Sequence, residues 1–148
     1  MISLLKSKLK KLKMINNLKI GQFVQSKRTF TSKDVETFSL LSNDINPIHI
    51  DKKYASDTIF GDRIVHGIFV SSIFSALIAN ELPGPGSIYL SQDLKFHLPI
   101  YHNEEVLAKV KIIKIRSEKS IITLDTTITN KHNKVAVSGT AVVKWMTK

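Results

Sequence analysis

Residues 65 to 81 read VHGIFVSSIFSALIANE, a helical stretch that is apolar almost all round. A helix without a broad polar face is normally buried, so other elements must wrap it. The chain supplies that wrapping directly afterwards. Pro83, Gly84, Pro85 and Gly86 end the helix, and four stretches of β-leaning residues follow: SIYLSQDLKFHLPI, EEVLAKVKIIKIR, SIITLDTTITN and VAVSGTAVVKWM. The first alternates loosely and the later three more clearly, with turn signals such as NKHNK between them. One buried helix and about four antiparallel strands predict an α+β fold, a curved antiparallel sheet wrapped around a long central helix. Strands gathered after helices argue against a doubly wound parallel sheet.

The part before that helix is more mixed. Residues 18 to 30, LKIGQFVQSKRTF, read as a turn and then a strand. Thr31 with Asp34 three residues later fits a capping box, opening a helix through Val35, Phe38 and Leu41. Pro47 is expected to stop that helix. Asp51 is placed to cap a short second helix, DKKYASD, ahead of the loop TIFGDRI.

With 148 residues the chain has the size of one ordinary domain. It has no cysteine, which excludes disulfides, thiolate metal sites and Cys nucleophiles. No apolar run approaches the ~20 residues that span a bilayer. The formal charge of +10 suggests nucleic acid or an anionic surface until it is mapped. Residues 1 to 33 carry nine basic and no acidic side chains, so residues 34 to 148 hold 13 basic (22 − 9) and 12 acidic ones. The folded part is nearly neutral. The excess belongs to the N-terminal end, MISLLKSKLKKLKMINN, where Ile2, Leu5, Leu9 and Leu12 share a helical face among lysines. A basic, acid-free amphipathic start with serines is the pattern of a mitochondrial transit peptide, although it uses Lys where Arg is usual. A solvated basic tail or a membrane-surface helix is the competing reading. The expected organisation is a leader over residues 1–17 and one domain over residues 18–148.

Chemistry is concentrated in SNDINPIHIDKKYA, residues 42 to 55. Asp44 and His49 are five apart and would face differently in a helix. A Pro-containing turn lets both converge. A carboxylate and an imidazole at one point can divide the labour of proton transfer, with the carboxylate orienting the ring and tuning its pKa. Asn46 can bond the turn's own backbone and fix its shape. The bland alternative is an Asx-turn with an exposed histidine. His66 and Gly67 precede or open the long helix, whose free N–H groups attract negative charge. Gly67 would let a substrate carbonyl approach that backbone as it becomes an oxyanion, or it simply marks tight helix–sheet packing. Ser75 is either a polar site contact or a serine bonded back to its own helix. His97, His102 and His132 are scattered, and no HxxxH or HExxH spacing proposes a metal. Neither nucleotide-binding glycine motif nor a G-x-S-x-G nucleophile elbow is present.

FSLLSNDINPIHIDKKYA resembles the signature of MaoC-like (R)-specific enoyl-thioester hydratases and 3-hydroxyacyl-thioester dehydratases, an Asp-x-Asn-Pro-x-His core after an apolar helix. The resemblance continues through RIVHGIFVSSIFSALIA and LPGPGSIYLSQDLKFHLPI to the SGTAVVK strand, roughly residues 18 to 146. It implies a hot-dog fold, a homodimer and no cofactor. It also implies Asp44 and His49 as the catalytic pair, the Gly67 N–H as oxyanion donor, and Asn46 and Ser75 as supporting or substrate-binding residues. The basic leader is the one departure, since small bacterial members lack it. Together these point to a (3R)-hydroxyacyl-thioester dehydratase acting on acyl carrier protein in mitochondrial fatty acid synthesis. The runner-up is an (R)-specific enoyl-CoA hydratase linked to β-oxidation, and a hot-dog thioesterase is a further enzyme reading. A small basic nucleic-acid-binding protein is the non-enzyme alternative, against which the near-neutral domain and 7% aromatic content speak.

Overall fold

The computed structural model describes residues 17–146, so all of the expected leader but its last residue lies outside the described residues. The order is β1 (Phe23–Thr29), α1 (Ser32–Ser42), α2 (Pro47–Ile50), α3 (Lys52–Ser56), α4 (Gly67–Asn80), β2 (Ser87–Gln92), β3 (Lys95–Phe96), β4 (Glu105–Arg116), β5 (Ile121–Thr129) and β6 (Val135–Trp145). The strands form one sheet in the order β1-β4-β5-β6-β2, with β3 also on β6. Every pair is antiparallel.

Period-2 patterning decides which face of the sheet is buried. β5 alternates without a break, placing Ile122, Leu124, Thr126 and Ile128 inward. β4 turns in Val106, Ala108, Val110 and Ile112 in the same way. These rows close over Val70, Ile73, Phe74, Leu77 and Ile78 of α4 in one continuous core. The one polar residue in the β5 row is satisfied: the Gln92 amide donates to the Thr126 hydroxyl at 3.0 Å. This is the hot-dog arrangement, an α+β fold with the sheet wrapped around α4.

Three local expectations change. α4 is covered on one side only, because a single sheet reaches one face; Ile68, Ser72, Ser75, Ala76 and Ala79 on the other are exposed. The segment after PGPG makes two strands where one was expected, giving five after α4. β2 and β3 separate at Asp93 and Leu94, where Asp93 N–H bonds the Thr140 carbonyl. Finally, Pro47 does not stop α1. Asn43, in the left-handed region at φ 60°, caps it first, and Pro47 opens α2 from the first helical position, where a missing N–H costs nothing. Among the described residues no helix is long and apolar enough to cross a membrane.

Candidate active site

The site is built by the connection from α1 to α4. Thr31 caps α1 with a full capping box: its hydroxyl accepts from Asp34 N at 3.1 Å, and the Asp34 carboxylate accepts from Thr31 N at 2.9 Å. Past the left-handed Asn43, two Asx-type bonds shape the turn. Asp44 Oδ1 accepts from Asn46 N, and Asn46 Oδ1 accepts from Ile48 N, each at 3.3 Å. Asn46 is thus the N-cap of α2. α2 points His49 inward, and the segment ahead of α4 fastens it there: Ile64 N–H bonds the Ile48 carbonyl, and His49 Nδ1 donates to the Ile64 carbonyl at 2.8 Å.

That last bond assigns the tautomer. A carbonyl only accepts, so the proton sits on Nδ1 and the neutral ring keeps its lone pair on Nε2. His49 is only 9% exposed. Burial lowers its pKa from 6.5 and is the largest influence; the Ile64 carbonyl raises it, His66 lowers it and Asp44 raises it. Asp44, by contrast, keeps its carboxylate half-exposed. A side-chain atom from each of Asp44, His49 and His66 lies within 4.8 Å of the other two. The convergence expected of Asp44 and His49 is therefore present.

His66 was not foreseen as a member of this group. It is the N-cap residue of α4 and only 3% exposed. Its Nε2 lies 3.0 Å from the Asp44 backbone carbonyl and 3.9 Å from Asp44 Oδ2. Its ring stacks on His49 with centroids 3.8 Å apart. The sequence shows His66 only as the neighbour of Gly67; its partners lie 17 and 22 residues back, and no local spacing signals that (66 − 49 and 66 − 44).

The three residue types are those of a metal site, with one nitrogen of each ring committed to a carbonyl and the other, His49 Nε2 and His66 Nδ1, left over. His49 Nδ1 and His66 Nε2 both act as N–H donors to carbonyls.

Beside the pair opens a cavity of about 450 Å³. His49 and Gly67 line it together with apolar side chains, including Phe60, Ile68, Phe96 and Val137. Gly67 is the first residue of α4, so its N–H has no partner in the preceding turn of the helix. A Cβ there would come within 2.7 Å of the Phe96 ring, so glycine keeps this wall open. Ser75 is not brought to this cavity: it lies on the exposed face of α4. The serines that bond back to the helix are Ser71, to Gly67 O, and Ser72, to Phe69 O.

Residues 16–147 match the family described as MaoC like domain. The chain is 43% identical over 128 residues to the (R)-specific enoyl-CoA hydratase of Aeromonas caviae, covering 86% of this chain and 96% of that one. It is 36% identical over 122 residues to the mitochondrial 3-hydroxyacyl-[acyl-carrier-protein] dehydratase of Arabidopsis thaliana, covering 81% and 72%. The solved structure of the Aeromonas caviae (R)-hydratase involved in PHA biosynthesis superposes with a TM-score of 0.86 at 42% identity, covering 88% and 98%.

Proposed function

Because the chain belongs to the MaoC-like family, we propose that it is a hydro-lyase interconverting (3R)-hydroxyacyl and trans-2-enoyl thioesters. The observation that carries this is the convergence of Asp44 and His49 within 4.8 Å, with His49 and Gly67, the first residue of α4, lining an apolar cavity. The acyl chain occupies the apolar cavity. In dehydration the α-proton passes to one member of the pair, and the β-hydroxyl leaves as water with a proton from the other. The negative charge that spreads onto the thioester oxygen is met by the Gly67 N–H. In hydration the same groups act in reverse: Asp44 orients the water and His49 Nε2 exchanges the proton. Asn46 holds the turn. Ser75 joins as a supporting residue only when a second copy covers the exposed face of α4.

The carrier we propose is acyl carrier protein, within mitochondrial fatty acid synthesis. The acid-free basic leader and the similarity to a mitochondrial dehydratase support it. Identity of 43% across 96% of an enoyl-CoA hydratase favours CoA thioesters as the second reading. A homodimer fits both. β2 is an edge strand with Ile88 and Leu90 exposed, and the open face of α4 carries small residues that permit close approach.

The test supplies trans-2-butenoyl thioester on CoA and on acyl carrier protein to the full chain. The product's configuration and any free thiol are then measured. The proposal expects the (3R)-hydroxy product without thiol release, and a higher kcat/KM on the carrier protein. Released thiol would indicate a thioesterase, and a (3S) product would contradict the proposal. Equal or better turnover on CoA would select the second reading.

A further inference from the structure

The structure assigns His66 as the positioning residue that holds Asp44 and His49 in register with each other and with the start of α4. The inference rests on the function proposed above. Within its own segment Asp44 is held loosely, by bonds of 3.2 Å from its N–H to Ser42 and 3.3 Å from Asn46 N to its carboxylate. The tie that crosses to another element is the 3.0 Å bond from His66 Nε2 to the Asp44 carbonyl, spanning 22 residues. The same imidazole covers one face of the His49 ring at 3.8 Å while the Ile64 carbonyl fixes its Nδ1. With its edge bonded and its face covered, the His49 ring cannot turn its Nε2 away.

His66 is itself immobilised. It is buried, and the Phe38 ring meets it edge-on with centroids 4.9 Å apart. Its backbone caps α4, so it is covalently joined to Gly67, the oxyanion donor proposed above. One residue therefore links the acid–base pair to the group that receives the developing charge. This comes at a cost to stability, because among the described residues the buried His66 Nδ1 has no hydrogen-bond partner. A phenylalanine would fill the same space without that orphan, but it would take a partner from the buried Ser39 hydroxyl, 3.4 Å from Nε2, as well as from the Asp44 carbonyl. What the imidazole supplies and a phenylalanine lacks is the Nε2 donor to the Asp44 carbonyl.

Two substitutions separate the two contacts. His66→Phe keeps a ring against His49 and loses the donor to Asp44. His66→Gln keeps an N–H near the Nε2 position and loses the ring. Misplaced catalytic groups reduce turnover about tenfold to a hundredfold, so His66→Phe should lose that much kcat with KM within about twofold of wild type. His66→Gln should recover several-fold over His66→Phe. The groups facing His49 are Asp44 in its own loop, His66 ahead of α4, and His102 from the segment before β4, which Arg63 faces in turn. Loss of the opposing imidazole in His66→Gln should move the acid limb of kcat/KM to higher pH. Circular dichroism checks folding, and if His66→Phe does not fold the Gln variant carries the test. Both variants within about twofold of wild-type kcat, with an unmoved acid limb, would overturn the assignment. So would a raised KM at unchanged kcat, which would make His66 a substrate contact. If the wild type shows no turnover, the proposed function fails separately. The ¹⁵N spectrum of the His49 ring then decides: loss of the single Nδ1–H tautomer in His66→Gln supports the positioning role, and an unchanged spectrum overturns it.

Discussion

His49 carries a proton on Nδ1 and a lone pair on Nε2 because the Ile64 carbonyl accepts from one nitrogen and leaves the other free. Burial holds its pKa below 6.5, so the neutral ring persists to lower pH than in an ordinary histidine. The acid limb of the kcat/KM profile should therefore fall below pH 6.5, and it should disappear with the residual activity of His49→Ala. Stability follows with the same sign. A histidine whose folded pKa is depressed leaves stability fully present above the unfolded value and removes it as pH falls through about 6.5. Thermal melts from pH 8 to pH 5 should show this loss in wild type and less of it in His49→Ala. Asp44, Asn46, His49 and Gly67 could be named as candidates from the sequence because one short motif and one helix start contain them, and the structure gathers them around one turn and the start of α4. His66 was not among them, since its contacts with Asp44 and His49 arise only when the start of α4 is brought against the turn. Ser75 reads as a site residue from the sequence but faces outward in the single chain.

The elements follow local chemistry where that chemistry has one meaning. Thr31 and Asp34 form the capping box that their spacing predicts, and Asp51 caps α3 by accepting from Tyr54 N at 3.0 Å. Replacing Thr31 by Ala should cost about 1 kcal/mol in denaturant unfolding. Pro47 has two meanings, since the residue that forbids a helix interior also suits a first turn. Asn43 resolves the ambiguity by ending α1 in a left-handed conformation. Asn43→Val should therefore destabilise by about 1–2 kcal/mol while Asn43→Gly is tolerated. The break between β2 and β3 was not legible at all. Part of its cause is tertiary: Gly139 lets β6 lie against the Asp93 backbone, and a Cβ at that position would collide with the Asp93 carbonyl oxygen. Gly139→Ala should cost roughly 1–3 kcal/mol, as overpacking does, and should show as a lowered denaturation midpoint.

At the scale of the molecule, the apolar helix and the strands after it specified the sheet-around-helix arrangement, because the inward rows of those strands are the apolar surface that α4 packs on. The sequence could not show that one chain covers only half of it. The open face of α4 and the exposed edge of β2 lead to the expectation that wild-type chain has the mass of two copies by light scattering. Ala79→Arg, which puts a charge on that face, should reduce the mass to one. The charge map belongs to this scale too: residues 1–17 fused to a reporter should carry it into mitochondria, and a reporter left in the cytosol would remove the leader reading. The most direct test of the account follows the enoyl-thioester absorbance of trans-2-butenoyl-CoA with wild type, Asp44→Asn and His49→Ala side by side. Turnover by the wild type that drops roughly 10²–10⁴-fold in each folded variant is the predicted result. Folded variants that keep the wild-type rate would contradict it, and the turn between α1 and α4 would then be structure and not catalyst.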